Sequence, residues 1–177
     1  MIDLVDAIPR VLASAPRARF RFIGRSVPHG PDGQDMQAFL LARLGRHAAA
    51  VEFTGPRPPS DIPGLLAETD ILAAPSHWES FGLVCCEGLA AARAVLGSAN
   101  GGMAEILAGG RCGVLVPPRQ PEAIADALLG LLADPARRQA LGEAGRQHLL
   151  EHYSARRVIA AQLASYQRAI ARTRGTN

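Results

Sequence analysis

Short apolar runs recur along this chain at 51–54, 70–74, 95–98 and 113–116, separated by turns and by stretches with helical spacing. The middle runs show no clean alternation of apolar and polar residues. Strands read this way when both of their faces are covered. An earlier run, 18–24 (ARFRFIG), does alternate, with Phe20, Phe22 and Ile23 as inward candidates. Strand and helix patterns therefore take turns for most of the length, which predicts an α/β fold with a parallel, doubly wound sheet.

The helical stretches are expected at about 2–14, 34–46, 62–68, 81–92, 103–108, 121–133, 135–152 and 155–171. In the first, Ile2, Val5, Ile8 and Leu12 fall near one face. Ser60 and Asp61 are candidate caps for the third. Pro121 and Pro135 each open a helix. Residues 26–33 form a turn-rich loop, and 173–177 read as disordered. At 177 residues and 48% hydrophobic content, there is material for one domain with a real core.

In a doubly wound sheet, ligands sit beyond the carboxyl ends of the strands. The loops at 75–80 and 99–102 lie there. The first leads into a run holding Glu79, Phe81, Gly82, Leu83 and Glu87. A helix beginning near Phe81 aims the amides of Phe81, Gly82 and Leu83 beyond the strand ends, where they favour an anion. Gly82 lets a ligand approach the backbone closely. Glu87 falls about one and a half turns into the helix, among Val84, Cys85, Leu89, Ala90, Ala91 and Ala92, and is expected to be buried and to need a partner, with a solvated helix position as the alternative. A vicinal diol such as a ribose offers two donors to one carboxylate. Glu79, taken alone, reads equally as charge complementarity at a helix N-terminus. Gly101 and Gly102 open the next short helix, as a second anion cradle or as a plain turn capped by Glu105.

Other residues say less. Gly24 and Arg25 end a strand, and Arg57 follows another strand end, so either arginine could touch a phosphate or simply be solvated. His29 and His77 sit in loops and read as surface residues, His77 nearer the site. Arg119, Arg137, Arg138, Arg156 and Arg157 read as helix-surface charges. Cys85, Cys86 and Cys112 show no metal-ligand spacing and read as small buried hydrophobes suited to a reducing cytoplasm. All 19 basic residues are arginine, which we read as the base composition of a high-GC bacterial genome. They form no stripe interleaved with aromatics, which argues against a nucleic-acid partner. No apolar run reaches membrane-span length, and the acidic Asp3 and Asp6 argue against a signal peptide. A Gly-x-Gly-x-x-Gly fingerprint and a nucleophile elbow are both absent.

The run Pro75, Ser76, Glu79, Phe81, Gly82, Glu87 resembles the Glu-x7-Glu signature in the C-terminal, donor-binding half of the group-1 retaining GT-B glycosyltransferases. Gly101-Gly102-Met103-Ala104-Glu105, the strand Gly113-Val114-Leu115-Val116-Pro117 and the segment 133–142 extend the resemblance over nearly the whole chain. It implies a nucleotide diphosphate sugar as donor substrate, with no metal and no other cofactor. By resemblance Glu79 lies beside the donor sugar as the catalytic-site carboxylate, and Glu87 holds the ribose hydroxyls. Phe81, Gly82 and Leu83 then meet sugar and diphosphate through their amides. Gly101 and Gly102 line the cleft, Gly24 and Arg25 approach a phosphate, and the 55–57 loop with Arg57 approaches the base.

The departures from the family pattern are informative. Family domains open with a strand carrying Gly-Arg and then Lys-Gly, and this chain begins in the helix that follows. The partner N-terminal acceptor domain is likewise missing, so the isolated chain is expected to be inactive, and peripheral membrane contact is left to the full enzyme. The family's Gly-x-Pro turn after the glutamate helix is Ala92-Arg93-Ala94 here. An orphaned, non-catalytic GT-B-like binding module remains an alternative, as does a nucleotide-sugar epimerase or phosphorylase on the same scaffold.

Overall fold

In a computed structural model the structure describes residues 1–26 and 30–174, the side chains of Asp32 and Arg174 excepted. The expectations for His29 and for 175–177 lie outside the described residues. Helices and strands alternate through most of the chain: α1 Ile2–Ser14, β1 Phe20–Ile23, α2 Met36–Leu44, β2 Val51–Gly55, α3 Ile62–Ala67, β3 Ile71–Ala74, α4 Leu83–Ala90, β4 Ala94–Ser98, α5 Gly102–Ile106 and β5 Val114–Val116. Three helices close the chain, α6 Pro121–Ala133, α7 Pro135–His152 and α8 Ala155–Arg174.

All strand pairs are parallel. They form two sheets, β1-β2 and β3-β4-β5, rather than one continuous sheet. No hydrogen-bonded ladder joins β1 to β3. Both strands nevertheless contribute to the same core: Phe20 and Phe22 from β1, and Ile71 and Ala73 from β3, pack on the cluster of Leu4, Ala7, Val11, Leu96, Val116 and Ile124. The α1 helix spans the break. One face, with Leu4, Ala7 and Val11, packs with α6 residues on the larger sheet, and another, with Val5 and Ile8, packs with Leu40 and Leu44 of α2. Only this second face was read from the sequence, as the stripe of Ile2, Val5, Ile8 and Leu12; the two buried faces together leave Asp6 and Arg10 on the remaining side.

The larger sheet is covered on both sides. Leu96 and Val116 point to α1 and α6, while Val95 points to Cys85 and Leu89 of α4 and to Met103 and Ile106 of α5. Every residue of β4 is buried, which accounts for its lack of alternation. The strand β1 is half-covered, and Ile23, expected inward, is 39% exposed. Ser60 and Asp61 do not cap α3 as expected, since the Asp61 side chain makes no cap bond and Ser60 donates to it instead.

The strand ends share one side. Asp3, in the first turn of α1, bonds residues in the loops after β3 and β5. At its other end α1 turns directly into β1, through the Ala18 amide bonding the Ala15 carbonyl. The chain therefore runs down α1 and back up β1, so the carboxyl end of β1 returns to the side where β3 and β5 finish.

Candidate functional site

The helix α4 begins at Leu83, two residues later than expected, because Gly82 is in the left-handed region at φ +97°. The amides of Cys85 and Cys86 both turn back to the Gly82 carbonyl. The first-turn amides left without an intrahelical partner are then Leu83 and Val84, rather than those expected at Phe81 to Leu83. A side chain could not replace Gly82 cheaply, since its Cβ would meet Met103 Cγ at 3.1 Å on a backbone that L-residues rarely adopt.

The glycine pair serves a purpose that the sequence did not reveal. A Cβ on Gly101, whose φ is +64°, would stand 2.2 Å from the Glu79 carbonyl oxygen. One on Gly102 would stand 2.5 Å from the Ser80 oxygen. The Gly102 amide donates to the Glu79 carbonyl at 3.0 Å. The two glycines thus let the loop after β4 lie directly on the backbone of the loop that carries Glu79. The Gly102 amide is spent on that contact and is not free for an anion.

Glu87 departs from expectation. It is exposed, as are Leu83, Val84 and Ala90, which lie on the same stripe of α4. The opposite stripe, Cys85, Gly88 and Leu89, is buried. An all-apolar helix reads as buried all round, but the exposed stripe here carries Leu83 at 68% and Val84 at 39% exposure with the glutamate between them. Beside it runs an open groove of about 360 Å³ lined in part by Phe81, Leu83, Cys86, Glu87, Leu149 and Tyr153. Neither Glu87 nor the half-buried Glu79 has a hydrogen-bond or ion-pair partner among the described residues. Both carboxylates stand open to a ligand, and Glu87 carries no burial cost that a partner would have to relieve.

The structure therefore brings Glu79, Phe81, Gly82, Gly101 and Gly102 into one packed junction, with Leu83 and Glu87 on the adjoining stripe. Gly24, at φ +144°, pairs its amide with the Gly55 carbonyl at 3.1 Å and fixes the end of β1 against β2. Arg25 and Arg57 are exposed at the ends of β1 and β2. Among the described residues, no hydrogen bond or ion pair links them to the Glu79 loop.

Sequence reasoning missed Asp3 and mistook His77 and Arg119. His77 is not a plain surface residue, because its Nε2 lies 2.7 Å from Asp3 Oδ2. Arg119 is not on a helix; it lies in the loop after β5 with φ +59°, and its amide donates to the same Asp3 oxygen at 3.1 Å. The only available signal was an acidic residue in a first helical turn, which ordinarily means no more than dipole complementarity. Arg138, also expected at the surface, is half-buried and donates to the last carbonyls of α6, Leu131 and Leu132. The buried Cys85 thiol is pushed up to about 12 by burial, then by Cys86 and Glu79, which makes it a hydrophobe and not a nucleophile.

This parallel α/β unit, with open carboxylates at a strand-to-helix junction, shares the fold of the Rossmann-like half of GT-B glycosyltransferases. The chain belongs to the family described as "Glycosyl transferases group 1", whose model matches residues 2–148. It is 36% identical over 170 residues to a D-inositol 3-phosphate glycosyltransferase of Corynebacterium glutamicum (strain R), covering 95% of this chain and 40% of that protein. It is 31% identical over 166 residues to a glycogen synthase of Mycobacterium tuberculosis (strain H37Rv), covering 93% and 38%. Among solved structures, sucrose-phosphate synthase from Thermosynechococcus elongatus superposes with a TM-score of 0.79 at 26% identity, over 97% of this chain and 43% of that one. The HepE protein of Anabaena, solved with UDP and glucose, shares the fold with a TM-score of 0.79 at 24% identity, over 92% and 44%. The chain thus spans about two fifths of the length of these relatives. Among the described residues, no helix is long and apolar enough to cross a membrane.

Proposed function

We propose that this chain is the donor-binding half of a glycosyltransferase that moves a hexosyl unit from a nucleotide diphosphate sugar to a sugar, lipid or small-molecule acceptor with retention. The observation that carries this reading is the junction of Glu79, Phe81 and Gly82 locked onto Gly101 and Gly102, in a chain of the group 1 family. Glu87 accepts the two ribose hydroxyls from the exposed stripe of α4. The open amides at the start of α4 face the diphosphate. Glu79 stands beside the anomeric carbon, where a carboxylate favours developing positive charge. Gly24, Arg25 and Arg57 approach from the ends of β1 and β2, Arg25 toward a phosphate and Arg57 toward the base.

The rest of the enzyme supplies the acceptor domain, the other wall of the cleft and the cations that neutralise the diphosphate, with no metal required. Transfer that stops in EDTA would show that a metal is required. The break between β1 and β3 fits the same scheme. A strand entering there and continuing into α1 would make a parallel β–α–β crossover with β1, and we place it in the polypeptide preceding α1.

Calorimetric titration of the chain with UDP, GDP and ADP tests the site. We expect weak binding of at least one nucleotide and a loss of about tenfold or more in Glu87→Ala, as for a lost charge-assisted hydrogen bond pair. A measurable affinity unchanged by Glu87→Ala would remove the ribose assignment.

A further inference from the structure

Among the described residues, Asp3 is the only charged side chain in the buried class, with 12% of its side chain exposed. Nothing in the donor-binding reading uses it. A buried carboxylate is costly unless its oxygens are bonded, and an apolar residue would hold α1 on the sheet at lower cost. What a carboxylate can do there, and an apolar residue cannot, is to hold donors from two loops in one geometry.

The Oδ2 atom does this. It accepts from His77 Nε2 in the loop after β3 and from the Arg119 amide in the loop after β5. An ionised carboxylate only accepts, so Nε2 of His77 carries the proton. The His77 carbonyl in turn accepts from Asn100 Nδ2 at 3.3 Å, and the Glu79 carbonyl accepts from the Gly102 amide at 3.0 Å. The segment from His77 to Glu79 is therefore tied on one side to α1 and on the other to the loop after β4. Arg119 keeps a left-handed backbone at the same point, the kind of conformation that persists where surrounding contacts over-determine it.

We propose that Asp3 is a positioning residue for glycosyl transfer: through His77 it fixes the loop that carries Glu79, and so the placement of that carboxylate. This rests on the reading of Glu79 as the group beside the transferring sugar. Displacing a catalytic group by about an ångström costs up to roughly a hundredfold in rate. A positioning role therefore affects kcat, while donor KM, held by the undisturbed ribose contact at Glu87, stays nearly unchanged.

The test uses the full-length enzyme carrying Asp3→Ala, Asp3→Asn, His77→Ala, the Asp3→Ala/His77→Ala pair and Glu79→Gln. We expect Asp3→Ala and His77→Ala each to lower kcat by about 10- to 100-fold with donor KM changed by less than about threefold. The pair should be hardly worse than either alone, since both break the same contact. Asp3→Asn keeps an acceptor oxygen and should recover most of the rate. In parallel, in the 177-residue chain, whose single tryptophan is Trp78 next to His77, nanosecond fluorescence anisotropy should show a looser loop in both alanine variants. Independent, multiplying effects, a loss carried by KM, no rescue by asparagine, or unchanged Trp78 mobility would each overturn the proposal. If Asp3→Ala fails to fold, the half-exposed His77 position decides alone. Normal turnover by Glu79→Gln would sink the reading of Glu79 itself. A crippled Glu79→Gln beside fully active Asp3→Ala and His77→Ala would sink only the positioning role.

Discussion

At the residue scale, the turn after α4 shows how one side chain is forced into a conformation it does not favour. The Ala92 amide bonds the Leu89 carbonyl and the Arg93 amide bonds the Gly88 carbonyl, the bond pattern of a Schellman C-cap. Its left-handed position is Ala92, at φ +53°, where glycine would carry no Cβ penalty. The departure from the family's glycine turn is thus tolerated by straining an alanine. We expect Ala92→Gly to stabilise the chain by about 0.5–1 kcal/mol, read as a Tm rise of about 1–4 °C. The opposite holds across the contact. A Cβ on Gly142 would lie 2.1 Å from the Ala92 carbonyl oxygen, so Gly142→Ala should cost about 1–3 kcal/mol or more, seen as a lower urea midpoint. Neither effect was legible in sequence. The glycine in α7 and the alanine turn are fifty residues apart in the chain, and the requirement for Gly142 arises only where the helices touch.

At the element scale, α7 and α8 were read correctly as helices but not for their surroundings. The α7 helix presents His148, whose Nε2 is buried without a partner among the described residues. Its ring lies tilted against His152 and edge-on to Tyr153, and Tyr153 meets Phe81 edge-on at 6.2 Å, at the mouth of the site. Burial lowers the His148 pKa, and His152 and Arg111 lower it further against an opposing Glu151. Since the folded pKa lies below the unfolded value, the unfolded chain takes up the proton first as pH falls. The contribution is therefore complete above about pH 6.5 and is lost below it, down to the folded pKa. Tm should fall from pH 7.5 to pH 5.5, and the fall should be smaller in His148→Leu; an equal fall in both would exclude this histidine as a cause. The α8 helix carries Ile159, Leu163, Tyr166 and Ile170, each more than half exposed, in a row at helical spacing. It buries little against the rest of the chain, so deleting 155–177 should move Tm by no more than about 2 °C, the range of surface changes. A larger drop in differential scanning calorimetry would mean that α8 is part of the core. Periodicity announces that a helix has an apolar side; it does not say whether this chain supplies the surface to cover it.

At the scale of the whole molecule, the chain is a group 1 glycosyltransferase unit whose strands form two sheets, with a break between β1 and β3. We expect residues 1–177 alone to show no multiple turnover, and a version extended upstream through one further apolar strand to be more stable by several degrees in Tm. Turnover by the 177-residue chain, or an extension that leaves Tm unchanged, would count against the proposed division of labour. The sequence by itself determined the order and type of nearly every element, because strand runs, helix spacing and opening prolines are local patterns. It also determined the chemical character of the Glu79 and Glu87 segment, because residue types at fixed spacing on one loop and one helix travel together wherever that segment packs. Only the tertiary structure decided that Glu87 is exposed, that Gly101 and Gly102 serve the Glu79 backbone, and that Asp3 closes on His77 and Arg119. Each of these depends on surfaces brought together from distant parts of the chain, and burial and hydrogen-bond partners do not exist until those surfaces meet.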